Sequence, residues 1–333
     1  MGTRPNRVTY SVIVPCYNTQ PIFVQEVQEI YKTFHDVLKT DSFELILVND
    51  CSPNPETLPF LKKLKEKWNF ITLIDLMKNT GQANAQLAAL NYVSGDIIIN
   101  LDDDMQTHPK NIPLLLNKME EGYDVVLGKY VSKRHNAFRR LLTSMDNCFE
   151  TVFIGRPKHL SFTSFWAAKR AVTDTIRKYI YPYSFMEGLF LRTTANITNV
   201  EMEHFERQEG HSGYNFRSLL RLWSNFTNFT VKPLRISIYL GILAMFAGLI
   251  LAIVTIINKI LYPGVPAGYT TLVCLITLLF GVTLLIMGVM GEYIGRIFMC
   301  INASPQYIVR DIYKSKEEET ENEQACSYSG SGV

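Results

Sequence analysis

The sequence of 333 residues predicts an α/β fold with a mainly parallel, doubly wound sheet, followed by two membrane-spanning helices. Strand-like apolar runs alternate with helical patterns between Tyr10 and Leu101. Three aspartates end one of these runs, and two long uncharged segments lie near the C-terminus. The net charge of +2 indicates that nucleic acid is not a partner.

The elements of the first part follow one another at the spacing of βαβ units. Strands are predicted at 10–15, 43–50, 71–76 and 96–101, with helices at 21–39, 55–67 and 81–93. Right-handed crossovers bring the loops that follow these strands to one edge of the sheet. Beyond 124–128 the pattern weakens, and we expect a strand at 161–167, a helix at 184–194 and a strand at 197–205.

The most informative stretch is the apolar run Ile97–Leu101 and the aspartates 102–104 that follow it. Open α/β sheets bind ligands at the carboxyl ends of their strands. Crowded carboxylates repel one another unless a positive charge lies between them. A divalent cation prefers such oxygen ligands and also binds phosphate. The stretch therefore predicts a metal and a phosphorylated substrate, although an acidic loop before a helix near Pro109 also fits the pattern.

Two uncharged runs predict a membrane hairpin, with spans at about 236–257 and 269–290 joined by a Pro/Gly turn at 262–268. Buried core helices are the alternative, and the turn between two such long runs argues against them. Basic residues flank both spans, whereas the connecting loop contains Lys259 alone. The positive-inside rule therefore predicts that both termini are cytoplasmic.

The segments around the hairpin have their own patterns. Residues 214–235 predict an amphipathic helix in the bilayer interface, although a helix packed on its own domain remains open. Residues 292–333 predict a cytoplasmic tail with a disordered end. The N-terminus has no apolar core of a signal peptide, and the six cysteines lack metal-ligand spacing and predict free thiols.

Seven motifs in order give the chain a family resemblance. They are Val14–Asn18, Val48–Ser52, Lys78–Gln82, Leu101–Gln106, Arg207–Tyr214, Pro233–Arg235 and Gly288–Arg296. From about Ser11 to Val309 the chain resembles glycosyltransferase family 2, and within it the bacterial polyprenyl-phosphate glycosyltransferases, relatives of dolichol-phosphate mannose synthase. Such a series, followed by a two-span hairpin, is more specific than any one motif.

The resemblance implies a GT-A catalytic domain at 1–213, the juxtamembrane helix at 214–235, the hairpin at 236–291 and the tail at 292–333. It implies transfer of a sugar, with inversion, from a nucleotide-sugar donor to a polyprenyl phosphate such as undecaprenyl phosphate. The product would serve modification of cell-envelope glycans. The protein would lie in the bacterial inner membrane with its catalytic domain in the cytoplasm, as a homo-oligomer and by resemblance a tetramer.

The resemblance also implies roles for individual residues. Those expected to hold the base and ribose are Pro15, Tyr17, Asn18 and Asp50, and those expected to line the donor pocket are Lys78 and Gln82. Asp102 and Asp104 would bind Mg²⁺ or Mn²⁺, with Gln106 beside the sugar or the metal. Arg207, Ser212 and Tyr214 would bind donor or acceptor phosphates. The catalytic set is therefore Asp102, Asp104, Gln106 and Arg207.

Three positions depart from the family pattern. Relatives often have an acidic residue where this chain has Ser161, a Glu where it has Thr19, and a Lys where it has Gly213. The departure at Ser161 puts a base role at that position in doubt, and Glu187 is a weak substitute candidate. Two alternatives remain: a processive polysaccharide synthase, which normally has a Gln-x-x-Arg-Trp motif and more spans, and a non-catalytic membrane scaffold of the same fold.

Overall fold

One mixed sheet contains all eight strands of the described residues. The computed structural model describes residues 8–104, 107–130, 151, 155–181, 184–202, 232–261, 268–302 and 305–314. Its strands are β1 (Tyr10–Cys16), β2 (Phe43–Asn49), β3 (Ile71–Leu76), β4 (Ile97–Asn100), β5 (Val125–Tyr130), β6 (Trp166–Lys169), β7 (Ile197–Met202) and β8 (Val309–Tyr313). They lie in the order β7-β5-β6-β4-β1-β2-β3-β8.

The four predicted βαβ strands are confirmed as parallel neighbours, since β1 pairs with β2 and β4, and β2 pairs with β3. The helices of this part are α1 (Phe23–Lys32), α2 (Thr57–Lys67), α3 (Gln82–Leu90), α4 (Ile112–Glu120), α5 (Arg170–Ile176) and α6 (Met186–Thr193). A π-helical turn at Thr33–Val37 extends α1, and a 3₁₀ turn at Pro109–Asn111 precedes α4. Apolar strand residues and the inner faces of α1, α2 and α4 form the core.

Two elements of the sheet differ from the sequence prediction. The strand predicted at 161–167 begins only at Trp166 and runs to Lys169, antiparallel to β4 and β5. At Ser161 the backbone bonds to a side chain instead of to a neighbouring strand. The Ser161 N–H donates to Asn199 Oδ1 at 2.7 Å, and the Asn199 amide donates to the Ser161 carbonyl at 2.8 Å. In addition, Val309–Tyr313, predicted as part of a tail, forms the antiparallel edge strand β8.

The chain forms two compact units. The first holds all eight described strands, including β8. The second holds two long helices, α7 (Lys232–Leu261) and α8 (Tyr269–Ile301). Both helices extend beyond the predicted spans, and residues 232–235 of the predicted interfacial helix already belong to α7; residues 214–231 lie outside the described residues.

Many of the described apolar side chains of α7 and α8 are exposed, among them Ile238, Leu243 and Leu284. Among the described residues, Leu279–Ile301 is the segment long and apolar enough to cross a membrane, with a mean hydropathy of 1.7, and Leu234–Gly248 is a shorter apolar segment. The two helices meet closely at Gly241, where an added Cβ would lie 3.5 Å from Ile286 Cδ1. The span predicted at 236–257, and with it the two-span hairpin, therefore stays a prediction.

Candidate active site

The candidate site lies where the strand order reverses. β1 has β2 on one side and β4 on the other. The loops that follow β1 and β4 therefore turn away from each other, which opens a crevice at the carboxyl ends of these strands. The loops that follow β1, β2 and β4 carry Tyr17 and Asn18, Asp50, and the aspartates 102–104. Parallel pairing alone brings these groups, which are distant in sequence, to one edge.

Asp102 is partly buried and already has two hydrogen-bond donors. The Ser164 hydroxyl donates to Asp102 Oδ2, and the Gln82 side-chain amide donates to Oδ1. Burial raises the pKa of Asp102 to about 6; the hydrogen bond from Ser164 lowers it, Asp104 and Asp103 raise it, and Gln82 lowers it. The predicted donor-pocket residue Gln82 thus lies at the acidic cluster. Ser164 was missed by the sequence prediction, because no motif marks it.

Asp103, the middle aspartate, links two loops of the site. Its Oδ2 accepts hydrogen bonds from the Thr19 hydroxyl at 2.5 Å and from the Tyr17 backbone N–H at 3.3 Å. Burial raises its pKa, and these hydrogen bonds oppose the rise. The loop after β4 is therefore tied to the loop after β1. The sequence marked Thr19 as a departure from the family pattern, but it gave no indication that Asp103 is its hydrogen-bond partner.

Asp104 completes the cluster, and Tyr130 lies close to it. Burial raises the pKa of Tyr130 to about 12; a hydrogen bond with Thr107 lowers it, and the charges of Asp102 and Asp104 raise it further. The two hydroxyls lie 2.7 Å apart. The tyrosine is therefore neutral at physiological pH and adds no charge to the cluster.

The donor set of this cluster fits a hard divalent cation. Within the described residues, no group of three or more His, Cys, Asp or Glu side chains surrounds one point. Asp102 and Asp104 could each supply a carboxylate oxygen, with phosphate and water oxygens as the remaining ligands. Because burial and the charges of Asp104 and Asp103 disfavour the ionised form of Asp102, a cation beside it would remove an electrostatic cost.

Asp50 shapes the loop that carries Lys78. Its carboxylate accepts hydrogen bonds from the Thr80 N–H at 2.8 Å, the Thr80 hydroxyl at 3.1 Å and the Gly81 N–H at 2.8 Å. Gly81 has a φ of +86°, which a side chain would strain. Lys78 is exposed at the start of this loop. The predicted base-binding Asp50 thus also holds the N-terminus of α3 in place.

The other predicted base-binding residues differ in exposure. Tyr17 is 49% exposed at the edge of the crevice, whereas Pro15 is buried within β1, in register with Val48. Asn18 has a φ of +54°, and its N–H donates to the Ser52 hydroxyl at 3.0 Å. The structure therefore brings Tyr17, Asn18, Asp50, Gln82, Asp102 and Asp104 to one edge. Gln106, Arg207, Ser212 and Tyr214 lie outside the described residues.

Comparison with known proteins identifies this arrangement. The sequence pattern of glycosyl transferase family 2 matches residues 11–177, and that of the GtrB C-terminal hairpin matches residues 232–297. The chain belongs to glycosyltransferase family 2. The first match covers the strands and loops that build the site, so the mainly parallel sheet is that of a GT-A glycosyltransferase. The second match covers α7 and most of α8.

Similar family 2 proteins match almost the whole chain. The undecaprenyl-phosphate 4-deoxy-4-formamido-L-arabinose transferase of Proteus mirabilis is 30% identical over 310 residues, which cover 92% of this chain and 94% of that protein. The uncharacterized glycosyltransferase YkcC of Bacillus subtilis is 30% identical over 316 residues, again 92% and 94%. A solved structure matches a smaller part: glucosyl-3-phosphoglycerate synthase of Mycobacterium tuberculosis, in complex with Mn²⁺, UDP and glucosyl-3-phosphoglycerate, has a TM-score of 0.46 and 17% identity, covering 67% of this chain and 82% of that one.

Proposed function

We propose that this glycosyltransferase moves a sugar from a nucleotide-sugar donor to a polyprenyl phosphate, undecaprenyl phosphate in a bacterial membrane, with inversion at the anomeric carbon. One observation carries the proposal: a single chain joins an acidic cluster at the switch point of its sheet to a hairpin of the GtrB type. Relatives that match more than 90% of the chain are named for a reaction on undecaprenyl phosphate.

The residues of the site would act mainly by positioning and by electrostatics. Asp102 and Asp104 would hold Mg²⁺ or Mn²⁺, which neutralises a leaving diphosphate when bound. Tyr17, Asn18 and Lys78 would bind the nucleotide, Gln106 would lie beside the sugar, and Arg207, Ser212 and Tyr214 would bind phosphates. The Ser164 and Gln82 hydrogen bonds keep the Asp102 carboxylate oriented. Orientation of the two reactants can supply a large part of the rate.

The acceptor explains why Ser161 is tolerated. A phosphate monoester carries about 1.5 to 2 negative charges at pH 7, so it can attack without losing a proton to a base. Ser161 lies three residues before Ser164, and both of its backbone groups are held by Asn199. This segment would therefore shape the pocket beside Asp102 instead of supplying a base.

The fold of the first unit supports a two-span topology. β7 precedes the hairpin in sequence and β8 follows it, yet both belong to the same sheet. The chain that leaves this sheet must return to the same side of the membrane, so the number of crossings between Met202 and Val309 is even. With basic residues at both ends of the hairpin, the proposed catalytic domain and both termini are cytoplasmic. A homo-oligomer, a tetramer by family resemblance, is proposed on that resemblance alone.

A transfer assay tests the function. Purified full-length protein is incubated with undecaprenyl phosphate, Mg²⁺ or Mn²⁺, and a panel of radiolabelled nucleotide sugars, and label in the organic phase is counted. We expect label from one donor, one sugar per lipid, and its loss with EDTA. Chains of several sugars would favour a processive synthase, and no label from folded protein would favour the scaffold.

Asp104 provides the sharpest variant for this assay. Asp104→Asn keeps the shape of the side chain but removes its charge, so we expect transfer to fall at least about a hundredfold, because metal-stabilised charge contributes several kcal/mol. The exposed Asp41, at the opposite end of β2, gives the matched control Asp41→Asn, with expected wild-type turnover. Wild-type turnover in Asp104→Asn, with an unchanged melting temperature, would refute the proposed metal role.

A further inference from the structure

The segment that follows the hairpin folds back onto the catalytic unit. We call residues 305–313 the return segment. The Gln306 side-chain amide donates to the Tyr179 carbonyl at 2.9 Å, and the Asn91 side-chain amide donates to the Tyr307 hydroxyl at 2.6 Å. The Ile308 carbonyl accepts from the Met77 N–H at 2.9 Å, and β8 then pairs with β3. The return segment is thus an integral part of the first unit.

Arg310 of this segment pairs with a buried carboxylate on the neighbouring strand. Arg310 Nη1 lies 3.2 Å from Asp75 Oδ2, and the Asp75 side chain is 1% exposed while that of Arg310 is 46% exposed. A buried carboxylate that loses its partner is costly, because the protein interior solvates the charge poorly. Asp75 therefore depends on a residue that is supplied from the far end of the chain.

Asp75 is the end of a hydrogen-bond chain that reaches the nucleotide side of the crevice. The Asn49 side-chain amide, which is buried, donates to Asp75 Oδ1 at 2.6 Å. The Asn49 Oδ1 in turn accepts from the Ser52 hydroxyl at 2.7 Å, and the Ser52 Oγ accepts from the Asn18 N–H at 3.0 Å. The donors and acceptors are consistent along this chain of hydrogen bonds. The charge of Asp75 therefore orients the Asn49 amide and, through it, the Ser52 hydroxyl.

The two loops at the end of this chain need such support. Asn18 has a φ of +54° and Cys51 a φ of +48°, both in the left-handed region that costs energy for residues with side chains. The Asn54 N–H also binds Asn18 Oδ1 at 3.2 Å, so the loops hold each other. Because their conformations are strained, they depend on the surrounding hydrogen bonds.

We propose that Arg310 and Asp75 are positioning residues for the donor site, through which the return segment sets the conformation of loops 17–20 and 50–54. The inference rests on the proposed function insofar as these loops bind the nucleotide. Both residues act through Asn49 and Ser52, and neither is among the residues proposed to bind the donor. The expected structural role of β8 is to cover the edge of β3. By this proposal it also positions the two loops of the donor site.

The variants Arg310→Gln and Asp75→Asn test the proposal in the full-length protein. Arg177→Gln and Asp174→Asn are the matched controls, because they break an Arg–Asp pair of 3.4 Å in which both side chains are more than a third exposed. Hydrogen exchange is measured on peptides covering 16–20 and 50–54. We expect about tenfold faster exchange there in Arg310→Gln and Asp75→Asn, and wild-type exchange in the controls.

Kinetics and a double variant separate positioning from plain stability. We expect the donor KM to rise about tenfold in Arg310→Gln with kcat within about twofold, and partial recovery in Arg310→Lys, which keeps the charge but not the planar fork. Asp75→Asn combined with Arg310→Gln should be no worse than Asp75→Asn alone, since the pair no longer exists.

Two outcomes would overturn the proposal. One is unchanged exchange in both loops and unchanged donor KM in Arg310→Gln, whether or not its melting temperature falls. The other is equal effects in the Arg177→Gln control. Failure of the proposed function is distinct: a wild-type protein that transfers no sugar would refute the transferase, while hydrogen exchange would still decide whether Arg310 holds the two loops.

Discussion

Acidification should weaken metal binding through Asp102. Its pKa is about 6 in the folded protein against an ordinary 3.8, so the folded state binds the proton more tightly than the unfolded state. This difference in pKa corresponds to a free-energy cost of ionising Asp102 in the folded protein of at most about 3 kcal/mol, since the side chain is only partly buried. Without metal, this cost of ionisation is absent below pH ~4, grows between the two pKa values and is complete above pH ~6.

A cation binds the ionised form, so its apparent affinity follows that ionisation. A single group with a pKa of about 6 predicts affinity about tenfold weaker at pH 5 than at pH 8 and about twofold weaker at pH 6. Mn²⁺ titration by calorimetry between pH 5 and 8, on the full-length protein, measures this dependence.

Ser164→Ala makes the test specific to this carboxylate. The Ser164 hydrogen bond lowers the pKa of Asp102, so its removal should move the midpoint to higher pH, by about one pH unit for a hydrogen bond to a charged group. Ser94→Ala is the matched control, since the Ser94 hydroxyl binds Glu44 at the opposite edge of the sheet. Affinity independent of pH, or a midpoint that moves to lower pH in Ser164→Ala, would refute the reasoning.

Two further predictions concern the loops and the sheet. Thr19→Val removes a hydrogen bond to the Asp103 carboxylate and should raise the donor KM about tenfold in the transfer assay. Thr40→Val, in the loop before β2, is the control, because the Thr40 hydroxyl binds only the nearby Ser42 N–H in the described residues. An unchanged KM in Thr19→Val would contradict the link between the loops. Gly95→Ala places a Cβ 2.6 Å from the Ser11 backbone nitrogen and should lower stability by about 1–3 kcal/mol in thermal unfolding, whereas Gly248→Ala, with open space, should not; equal melting temperatures would count against this packing.

The three aspartates of the acidic cluster have two different roles, although their side chains are identical. Asp102 and Asp104 fit a cation, whereas Asp103 turns to Thr19 and Tyr17 and joins the two loops. The sequence prediction assigned the outer pair correctly to one edge of the sheet but had no role for the middle residue. A side chain that serves the backbone of another loop leaves no local pattern.

Local patterns in the sequence determined the central sheet, the site edge and the apolar hairpin segments. The strands β1 to β4 are continuous apolar runs, and parallel βαβ connections leave few choices for where Asp50 and Asp102 lie. The two long uncharged segments indicated the hairpin whose family pattern matches 232–297, because length and apolarity are properties of composition.

Tertiary structure alone decided which distant residues complete the site. Ser164 meets Asp102 across 62 positions, Thr19 meets Asp103 across 84, and Arg310 meets Asp75 across 235. The strand Val309–Tyr313 is short and mostly exposed, so its sequence resembles a polar tail. Such contacts depend on strand order and on the paths of loops, which are set by packing of the whole domain, and no periodicity in a local segment encodes them.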